Sequence, residues 1–278
     1  MPKRELRIVW RVLITQRAIR WARCWFLFGL ILTLPSYSAA SVIVYSGVDP
    51  GAGPGDPRPN SAAARAAFDA ATTTAGVIDF EQFVIVPPRN YSVPAAPASI
   101  AVGAGVQLSA SPTLDGGSGI IANAPGGGSL DEGYNTTPGG EAYLRMFPSR
   151  QQLTGSWVYT FDSPINAFGA YLTGWSTEFG ETLQVSFRNS IGKMETLEIP
   201  AGNEESALFF GFTELGGSIT SVTITQIGVH PWSMDDVTYG TTVVPEPATM
   251  VLAGLGATGI ALARCKRYRS RVRLRWPA

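Results

Sequence analysis

Short apolar runs separated by turn residues fill the second half of the chain, between residues 157 and 239. In residues 182–188, Leu183, Val185 and Phe187 alternate with polar neighbours, which is the period of a β-strand with one solvated face. Seven strands are predicted: Trp157 to Phe161, Ile165 to Thr173, Thr182 to Arg188, Met194 to Ile199, Ala207 to Phe212, Ile219 to Ile227 and Met234 to Tyr239. This spacing is typical of sandwiches and jelly rolls, so we predict an all-β fold with a jelly-roll-like β-sandwich ectodomain.

The segment before these strands is less regular. Ser41 to Ser46 is predicted to form a short strand. Ser61 to Thr74 is Ala-rich and predicts a helix, with Asn60 or Ser61 as its cap. Val77 to Phe83 predicts the next strand, which ends before a Pro-Pro pair.

Residues 112–140 are dominated by Gly, Ser, Asn and Pro. This composition predicts a long loop or a set of hairpin turns. A phosphate-binding loop is the alternative, but no Lys follows the glycines and no helix pattern begins after them. We therefore expect no nucleotide site in this segment.

The N-terminus carries the pattern of a secretory signal peptide. A basic region precedes the apolar run from Trp25 to Leu34, and Ser38 and Ala40 suit the −3 and −1 positions of signal peptidase. We therefore predict that signal peptidase removes residues 1–40. The alternative is an uncleaved N-terminal anchor, although ten apolar residues are short for a stable span.

A second apolar segment lies near the C-terminus. Residues 248–263 form 16 consecutive uncharged residues, about 24 Å of helix against a hydrocarbon core of roughly 30 Å. The basic residues Arg264, Lys266 and Arg267 follow directly and would stop the segment at the membrane surface. We predict a single, marginally long transmembrane helix.

Pro245, Glu246 and Pro247 stand immediately before this apolar segment. The order of a Pro-Glu-Pro motif, a short apolar helix and a basic cluster resembles the PEP-CTERM sorting signal of Gram-negative bacteria, also described as an ice-binding-protein C-terminal domain. The resemblance implies passage through the inner membrane, recognition by an exosortase-type processing enzyme, cleavage near the motif, and delivery to the cell surface or the extracellular space. The alternative is an ordinary single-span anchor with a positive-inside flank.

Charge is distributed unevenly along the chain. Residues 41–244 contain 7 Lys or Arg and 19 Asp or Glu, a formal charge of −12. Phosphate contacts need Lys and Arg, so we expect no nucleic-acid partner. Cys24 and Cys265 both lie in the predicted processed tails, so the mature protein has no disulfide and depends on its core or on a metal.

Four stretches of the middle segment resemble the passenger domain of many PEP-CTERM proteins. They are Phe80-Glu81, residues 133–140, residues 167–173 and residues 234–240. The resemblance implies a jelly-roll β-sandwich similar to carbohydrate-binding modules, with no established catalytic role to transfer.

Together these signals predict six segments. They are the signal peptide (1–40), a Gly/Pro-rich segment with a short helix (41–76), the β-sandwich domain (77–240), a linker with the Pro-Glu-Pro motif (241–247), the transmembrane helix (248–263) and a basic cytoplasmic tail (264–278).

Candidate catalytic residues are few. His230 is the only histidine, and a Ser-His-Asp arrangement with Asp235 has no nucleophile-elbow signature to support it. Glycoside hydrolysis needs two opposed carboxylates in a cleft, and sequence alone pairs none of the available acids. Those acids are Glu81, Glu141, Glu178, Glu181, Asp235 and Asp236. We therefore predict a non-enzymatic protein, with a secreted polysaccharide hydrolase as the alternative.

Two binding features are expected. Trp157, Trp175 and Trp232 are candidates for a platform that stacks on sugar rings, with burial in the core as the alternative. Glu81, Asp235 and Asp236 are candidates for a structural calcium site, although strand alternation would let only one of the two adjacent aspartates face it. No other cofactor is expected.

The sequence thus predicts an exported, surface-sorted protein that associates with exopolysaccharide or the extracellular matrix. A purely structural matrix protein is a further alternative.

Overall fold

The computed structural model describes residues 41–83, 91–110, 118–123, 128–129, 133–148, 153–177, 180–189, 192–200 and 206–243. The predicted signal peptide, Pro-Glu-Pro motif, transmembrane helix and basic tail all lie outside these residues. Across the described ranges, no helix has the length and apolar character needed to cross a membrane.

Strands make up most of the described chain. In order the elements are β1 (Ser41–Pro50), α1 (Pro59–Ala71), β2 (Thr72–Ile78), a 3-10 turn (Glu81–Phe83), β3 (Tyr91–Ser92), β4 (Ile100–Gly103), β5 (Val106–Ala110), β6 (Ser118–Asn123), β7 (Gly128–Ser129), β8 (Gly133–Tyr134), β9 (Ala142–Phe147), β10 (Thr154–Ile165), β11 (Ala167–Thr173), β12 (Thr182–Arg188), β13 (Met194–Glu198), β14 (Ser206–Leu215), β15 (Ile219–Ile227) and β16 (Trp232–Thr242).

The strands form two large antiparallel sheets. Sheet A has the order β1-β14-β11-β16-β9-β6-β3, and β2 also pairs with β16. Sheet B has the order β13-β12-β15-β10-β5-β4, and β7 and β8 form a separate short pair. From β10 to β16 the chain passes repeatedly between the two sheets. The predicted β-sandwich is therefore confirmed.

One hydrophobic core fills the space between the sheets. The period-two pattern of β12 is borne out, because Leu183, Val185 and Phe187 are each 1 % exposed. Across the gap, the rings of Phe187 and Phe212 stack with centroids 4.4 Å apart. All seven strands predicted after residue 153 are present; three are longer than predicted, two have the predicted bounds and two are shorter.

The predicted domain boundary at residue 77 is wrong, because the sandwich extends back to Ser41. β1 pairs with β14 along its whole length and β2 pairs with β16. The helix also ends earlier than predicted, at Ala71. Three consecutive β-branched residues, Thr72 to Thr74, follow it and favour the strand that begins there.

The helix is capped from outside its own segment. It begins at Pro59, so Asn60 and Ser61 lie in its first turn and do not serve as the predicted cap. Asp49 of β1 accepts hydrogen bonds from the backbone N–H groups of Asn60 and Ser61, both at 2.8 Å, and from the Ser61 hydroxyl at 2.6 Å. One strand carboxylate thus satisfies the exposed donors of the helix N-terminus.

The helix covers the outer side of sheet A. Phe68 is fully buried, and its ring lies 5.7 Å from those of Tyr45 and Phe209. This contact explains why Ser206–Phe212 of β14 is buried on both faces, as its two-sided apolar pattern suggests.

Residues 91–147 contain more strand than the sequence predicts. The segment predicted as a loop or hairpin turns includes β6, which pairs with β9 over six residues. Residue propensities do not predict this strand, because it contains glycine, which is unfavourable in strands. Gly119 is nevertheless required there, since an added Cβ would lie 2.9 Å from the indole nitrogen of Trp157.

We predict that Asp49→Asn lowers the free energy of unfolding by about 1–2 kcal/mol, since it removes a charged cap from a helix that packs on the sheet. Burial opposes ionisation of Asp49, but the hydrogen bonds from Ser61 and Asn60 outweigh it and lower the pKa of this carboxyl. Because the pKa of Asp49 is lower in the folded state than in the unfolded state, its ionisation stabilises the fold at pH values above the unfolded-state pKa. This stabilisation is lost as the pH falls through the folded-state pKa. Chemical denaturation at pH 7 and near pH 3 should therefore show a larger difference at pH 7.

The matched control is Asp69→Asn, which removes an exposed pair with Arg65 (2.9 Å) on the same helix. It should cost no more than about 0.5 kcal/mol. Equal losses for the two variants would contradict the capping role of Asp49.

Candidate functional site

The last strand of sheet A has a break in its pairing at two adjacent aspartates. On one edge of β16, residues 237–242 pair with β2 and residues 232–234 pair with β9. Asp235 and Asp236 lie at the junction, and Asp236 has a left-handed backbone with φ of 48°. Asp is one of the few non-glycine residues that adopt this conformation readily.

This break brings both aspartates to the same loop, against the prediction that only one could face a common site. Asp235 Oδ2 accepts hydrogen bonds from the backbone N–H groups of Thr136 (2.7 Å) and Thr137 (3.2 Å). Asp236 accepts the hydroxyls of Thr136 and Thr137, both at 2.8 Å. The strand alternation on which the prediction depended is broken by the positive φ of Asp236 and by the neighbouring register shift against β11.

Glu81 binds the other end of the same loop. It lies just after β2, and its carboxylate accepts the Asn135 side-chain amide (2.7 Å) and the backbone N–H groups of Glu141 and Ala142 (3.0 and 3.1 Å). These N–H groups lie at the start of β9, where the pairing partner of β16 changes from β2 to β9. Gly140 packs directly on this carboxylate, since an added Cβ would lie 2.2 Å from Glu81 Oε1.

We call Glu81, Asp235 and Asp236 the acid clamp, and residues 133–142 the clamped loop. The structure brings together all four stretches that carry the resemblance to the passenger domain. Glu81 and β16 hold the loop as described, β11 pairs with β16, and Tyr134 of the loop donates its N–H to the Thr173 hydroxyl at 2.8 Å. These four stretches therefore form one loop and the strands that fix it.

Sequence reasoning missed Arg58 and Tyr171, which hold the loop from its other side. Arg58 donates to the Thr136 carbonyl at 3.0 Å, and its guanidinium lies 5.4 Å from the centre of the Tyr171 ring. Arg58 and Thr136 are 78 residues apart, and nothing local in either segment signals the contact.

Asp235 is the most strongly perturbed acid of the clamp. It is 1 % exposed, and burial, followed by the nearby charge of Asp236, raises its pKa well above the usual value. Its Oδ1 atom is buried and has no hydrogen-bond partner among the described residues, and the same holds for Asn135 Oδ1. Two buried acceptors without donors suit a cation better than they suit an apolar environment.

The predicted three-carboxylate calcium site is not assembled as such. Within the described ranges, no three His, Cys, Asp or Glu side chains converge as metal ligands. A calcium ion at Asp235 Oδ1 would therefore take most of its six to eight oxygens from amides, backbone carbonyls and water. Calcium at the acid clamp stays a prediction.

The prediction that the tryptophans form a sugar-stacking surface is wrong. Trp157 and Trp232 are fully buried and Trp175 is 1 % exposed. Trp232 packs edge to face with both of the others, at 6.1 and 6.3 Å, and donates its indole N–H to Gln226 at 2.7 Å. Their size suits them to the core, which was the alternative interpretation.

His230 lies in a turn held by Glu181. Glu181 Oε1 accepts the backbone N–H groups of Val229 and His230, both at 2.7 Å, and is itself 3 % exposed. Asp235, the acid considered as its catalytic partner, bonds instead to Thr136 and Thr137. Four of the candidate hydrolase acids thus accept hydrogen bonds from backbone N–H groups or from threonine hydroxyls, namely Glu81, Glu181, Asp235 and Asp236. Glu178 lies outside the described residues.

The outer side of sheet B is a second feature, distinct from the acid clamp. Its central outward positions on β5, β10, β15, β12 and β13 carry hydroxyl or amide side chains, with Val158 as the one apolar member among them, and all are exposed or half-buried. Charged and apolar side chains border this central area at Asp162, Arg188, Met194, Glu198 and Ile227. We call this surface the hydroxyl face. It comprises Gln107, Ser109, Ser156, Val158, Thr160, Gln184, Ser186, Thr196, Ser221, Thr223 and Thr225.

The chain carries a PEP-CTERM protein-sorting motif at residues 243–267. No curated protein matches the sequence. Similar solved structures include a mutant family 29 carbohydrate-binding module, CBM29-2, complexed with mannohexaose (7 % identity, 55 % of this chain and 94 % of that one, TM-score 0.34). Others are TmCBM61 in complex with β-1,4-galactotriose (13 %, 58 % and 93 %, 0.30) and the tailspike protein 4 of bacteriophage CBA120 (14 %, 62 % and 21 %, 0.29). At these TM-scores none of the three likenesses carries an argument about this chain.

We predict that calcium raises the thermal unfolding midpoint of the protein and that a chelator lowers it. Binding to the folded state alone adds about 2.7 kcal/mol when calcium is 100-fold above its Kd. Asp235→Asn should abolish the response, because it removes the carboxylate whose buried Oδ1 atom has no hydrogen-bond partner among the described residues. Asp162→Asn, an exposed acid on sheet B, should leave the response intact. A wild-type midpoint that chelator does not move would show that the acid clamp holds no calcium.

Proposed function

From the PEP-CTERM motif at residues 243–267, we propose that this protein is exported, processed at its C-terminus and held at the cell surface in association with exopolysaccharide, without catalysing a reaction. The motif implies export, C-terminal sorting to the cell surface and processing by an exosortase. It is the observation that carries the proposal. The association with exopolysaccharide and the absence of catalysis go beyond the motif and form our extension of the proposal.

The order of events follows from the segments that flank the sandwich. Signal peptidase removes residues 1–40, and residues 248–263 then hold the chain in the inner membrane, with the basic tail on the cytoplasmic side. The exosortase cleaves near Pro245 to Pro247 and releases the sandwich to the surface. Before that cleavage the protein is membrane-anchored.

The hydrogen bonding of the acids supports a non-catalytic role. A general acid or nucleophile must be free to exchange protons or bonds with a substrate. Glu81 and Asp236 instead use both carboxylate oxygens to hold the clamped loop, and Asp235 uses one. Replacing any of them would therefore disturb the loop before it changed any chemistry.

The surface chemistry supports a neutral polymer as the partner. The formal charge of −12 over residues 41–244 disfavours polyanions, including nucleic acid and anionic polysaccharide. The residues of the hydroxyl face carry no charge, although Asp162, Arg188 and Glu198 border them. A neutral exopolysaccharide is thus the matrix component that this surface fits.

We expect the surface form of the protein to begin near Ser41 and to end between Pro245 and Pro247. Glu246→Ala should reduce processing and surface delivery, because a carboxylate beside an apolar span is unfavourable unless the processing enzyme reads it. Glu198→Ala, an exposed acid of the folded domain, is the matched control and should be processed normally. Intact mass of protein recovered from the cell surface measures both.

A surface species that still contains residues 250–263 would show that the C-terminal segment is a permanent anchor. Normal processing of Glu246→Ala would refute its recognition.

A further inference from the structure

The hydroxyl face is ordered in rows that cross sheet B. The longest row contains Ser109, Val158, Thr223, Ser186 and Thr196, which the strand registers place directly opposite one another. Neighbouring strands lie about 4.8 Å apart, so this row of five strands is about 19 Å long. A second row runs through Gln107, Thr160 and Ser221, and a third through Ser156, Thr225 and Gln184. The third row ends at Glu198 of β13, an exposed acid at the border of the face.

Cross-strand hydrogen bonds fix part of this surface before any ligand binds. The hydroxyls of Ser156 and Thr225 lie 3.0 Å apart, as do those of Ser186 and Thr196. Each hydroxyl has one donor and two acceptor sites, so a paired hydroxyl still has capacity for a ligand. β-branched Thr side chains are also restricted about χ1, which lowers the entropy lost on binding.

The side chains on this face fit few kinds of macromolecule. Protein interfaces are enriched in aromatic residues, Met and Arg and are depleted in Ser, which is the reverse of this composition. Nucleic acids and anionic polymers need clustered Lys and Arg, whereas Arg188 at one end is the nearest positive charge on β12. A chain of uncharged hydroxyl groups matches the face, because it both donates and accepts hydrogen bonds at every unit.

The shape of the surface also favours a chain over a small molecule. A depression of about 260 Å³ lies at the Arg188 end of the face, lined by Ser186, Ser221 and Thr223 among others. Small-molecule sites are larger, mostly apolar clefts of about 300–1,000 Å³. The rows of side chains that lead to this depression cross several strands, and such a length suits an extended polymer.

The opposite side of the sandwich is already covered. The helix packs on β1 and β14, and the clamped loop lies over Ser233 and Thr173 of β16 and β11. Among the described residues, neither element lies on the outer side of sheet B.

We propose that the hydroxyl face is the surface on which this protein binds a neutral polysaccharide chain, with Thr160, Thr223 and Ser186 as central contacts. This inference rests on the proposed function and gives its binding surface. The depression beside Arg188 would take one end or one branch of the polymer.

The test uses the full chain and affinity electrophoresis in gels that contain galactomannan, galactan, β-glucan or crude exopolysaccharide from the producing cells, with alginate as an anionic comparison. The double variant Thr160→Val and Thr223→Val keeps the β-branched shape that strands favour and removes two hydroxyls. We expect retardation of the wild type by at least one neutral polymer, and binding weaker by about tenfold or more in the double variant. Thr73→Val, an exposed threonine on β2 of the other sheet, should bind like the wild type. Ser221→Arg blocks the second row by bulk and gives an independent loss of binding.

Three results would overturn the inference. Wild-type binding that survives in both face variants would show that another surface binds the polymer, leaving the proposed function intact. Stronger retardation by alginate than by every neutral polymer would overturn the stated ligand class. No retardation by any polymer, including the crude exopolysaccharide, would overturn the inference and the polysaccharide association together. Unfolding midpoints measured in parallel ensure that lost binding does not reflect a lost fold.

Discussion

The acid clamp is the interaction on which the organisation of this sandwich depends. β16 pairs with β2 along one part of an edge and with β9 along the rest of the same edge. Between these two partners the ladder is interrupted, so backbone N–H groups there need acceptors outside the sheet. Glu81 accepts those of Glu141 and Ala142, and Asp235 accepts those of Thr136 and Thr137. Hydrogen bonds to charged groups are among the stronger ones in proteins. Glu81 and the two aspartates, which bind different residues of the clamped loop, therefore close the junction and fix the loop that covers it.

This arrangement gives the two sides of the sandwich different roles. On sheet A, the helix and the clamped loop cover the outer surface, and Asp49 and the acid clamp hold them there with charged hydrogen bonds. On sheet B, the central outer positions carry uncharged hydroxyls and amides, and Asp162, Arg188 and Glu198 lie at their border. The carboxylates thus stabilise the fold on one side, while the outer side of sheet B carries the hydroxyl face that we propose binds a polymer. The sorting motif implies export and C-terminal sorting of that domain to the cell surface.

The sequence predicted the strands whose apolar residues alternate, and it failed where contacts between distant segments decide the structure. β12 was predicted with its full bounds, because one side of it is buried in the core and the other is solvated. β6 was missed, because its glycine is needed for close packing against Trp157 and gives no strand signal. The clamp acids were singled out from their types, but their partners Asn135, Thr136 and Thr137 lie 54 to 100 residues away in sequence. The aspartates share one loop because Asp236 has a positive φ, which no spacing rule predicts.

Native-state hydrogen exchange of the clamped loop tests most directly whether these carboxylates are structural. In Glu81→Ala, the account predicts that the backbone amides of Glu141 and Ala142 exchange at least about tenfold faster than in the wild type, because each loses a charged acceptor. The amide of Val185 in sheet B should be unchanged, since it has no contact with the clamp. Unchanged exchange at Glu141 and Ala142 would contradict the account, as would an equal acceleration in both sheets.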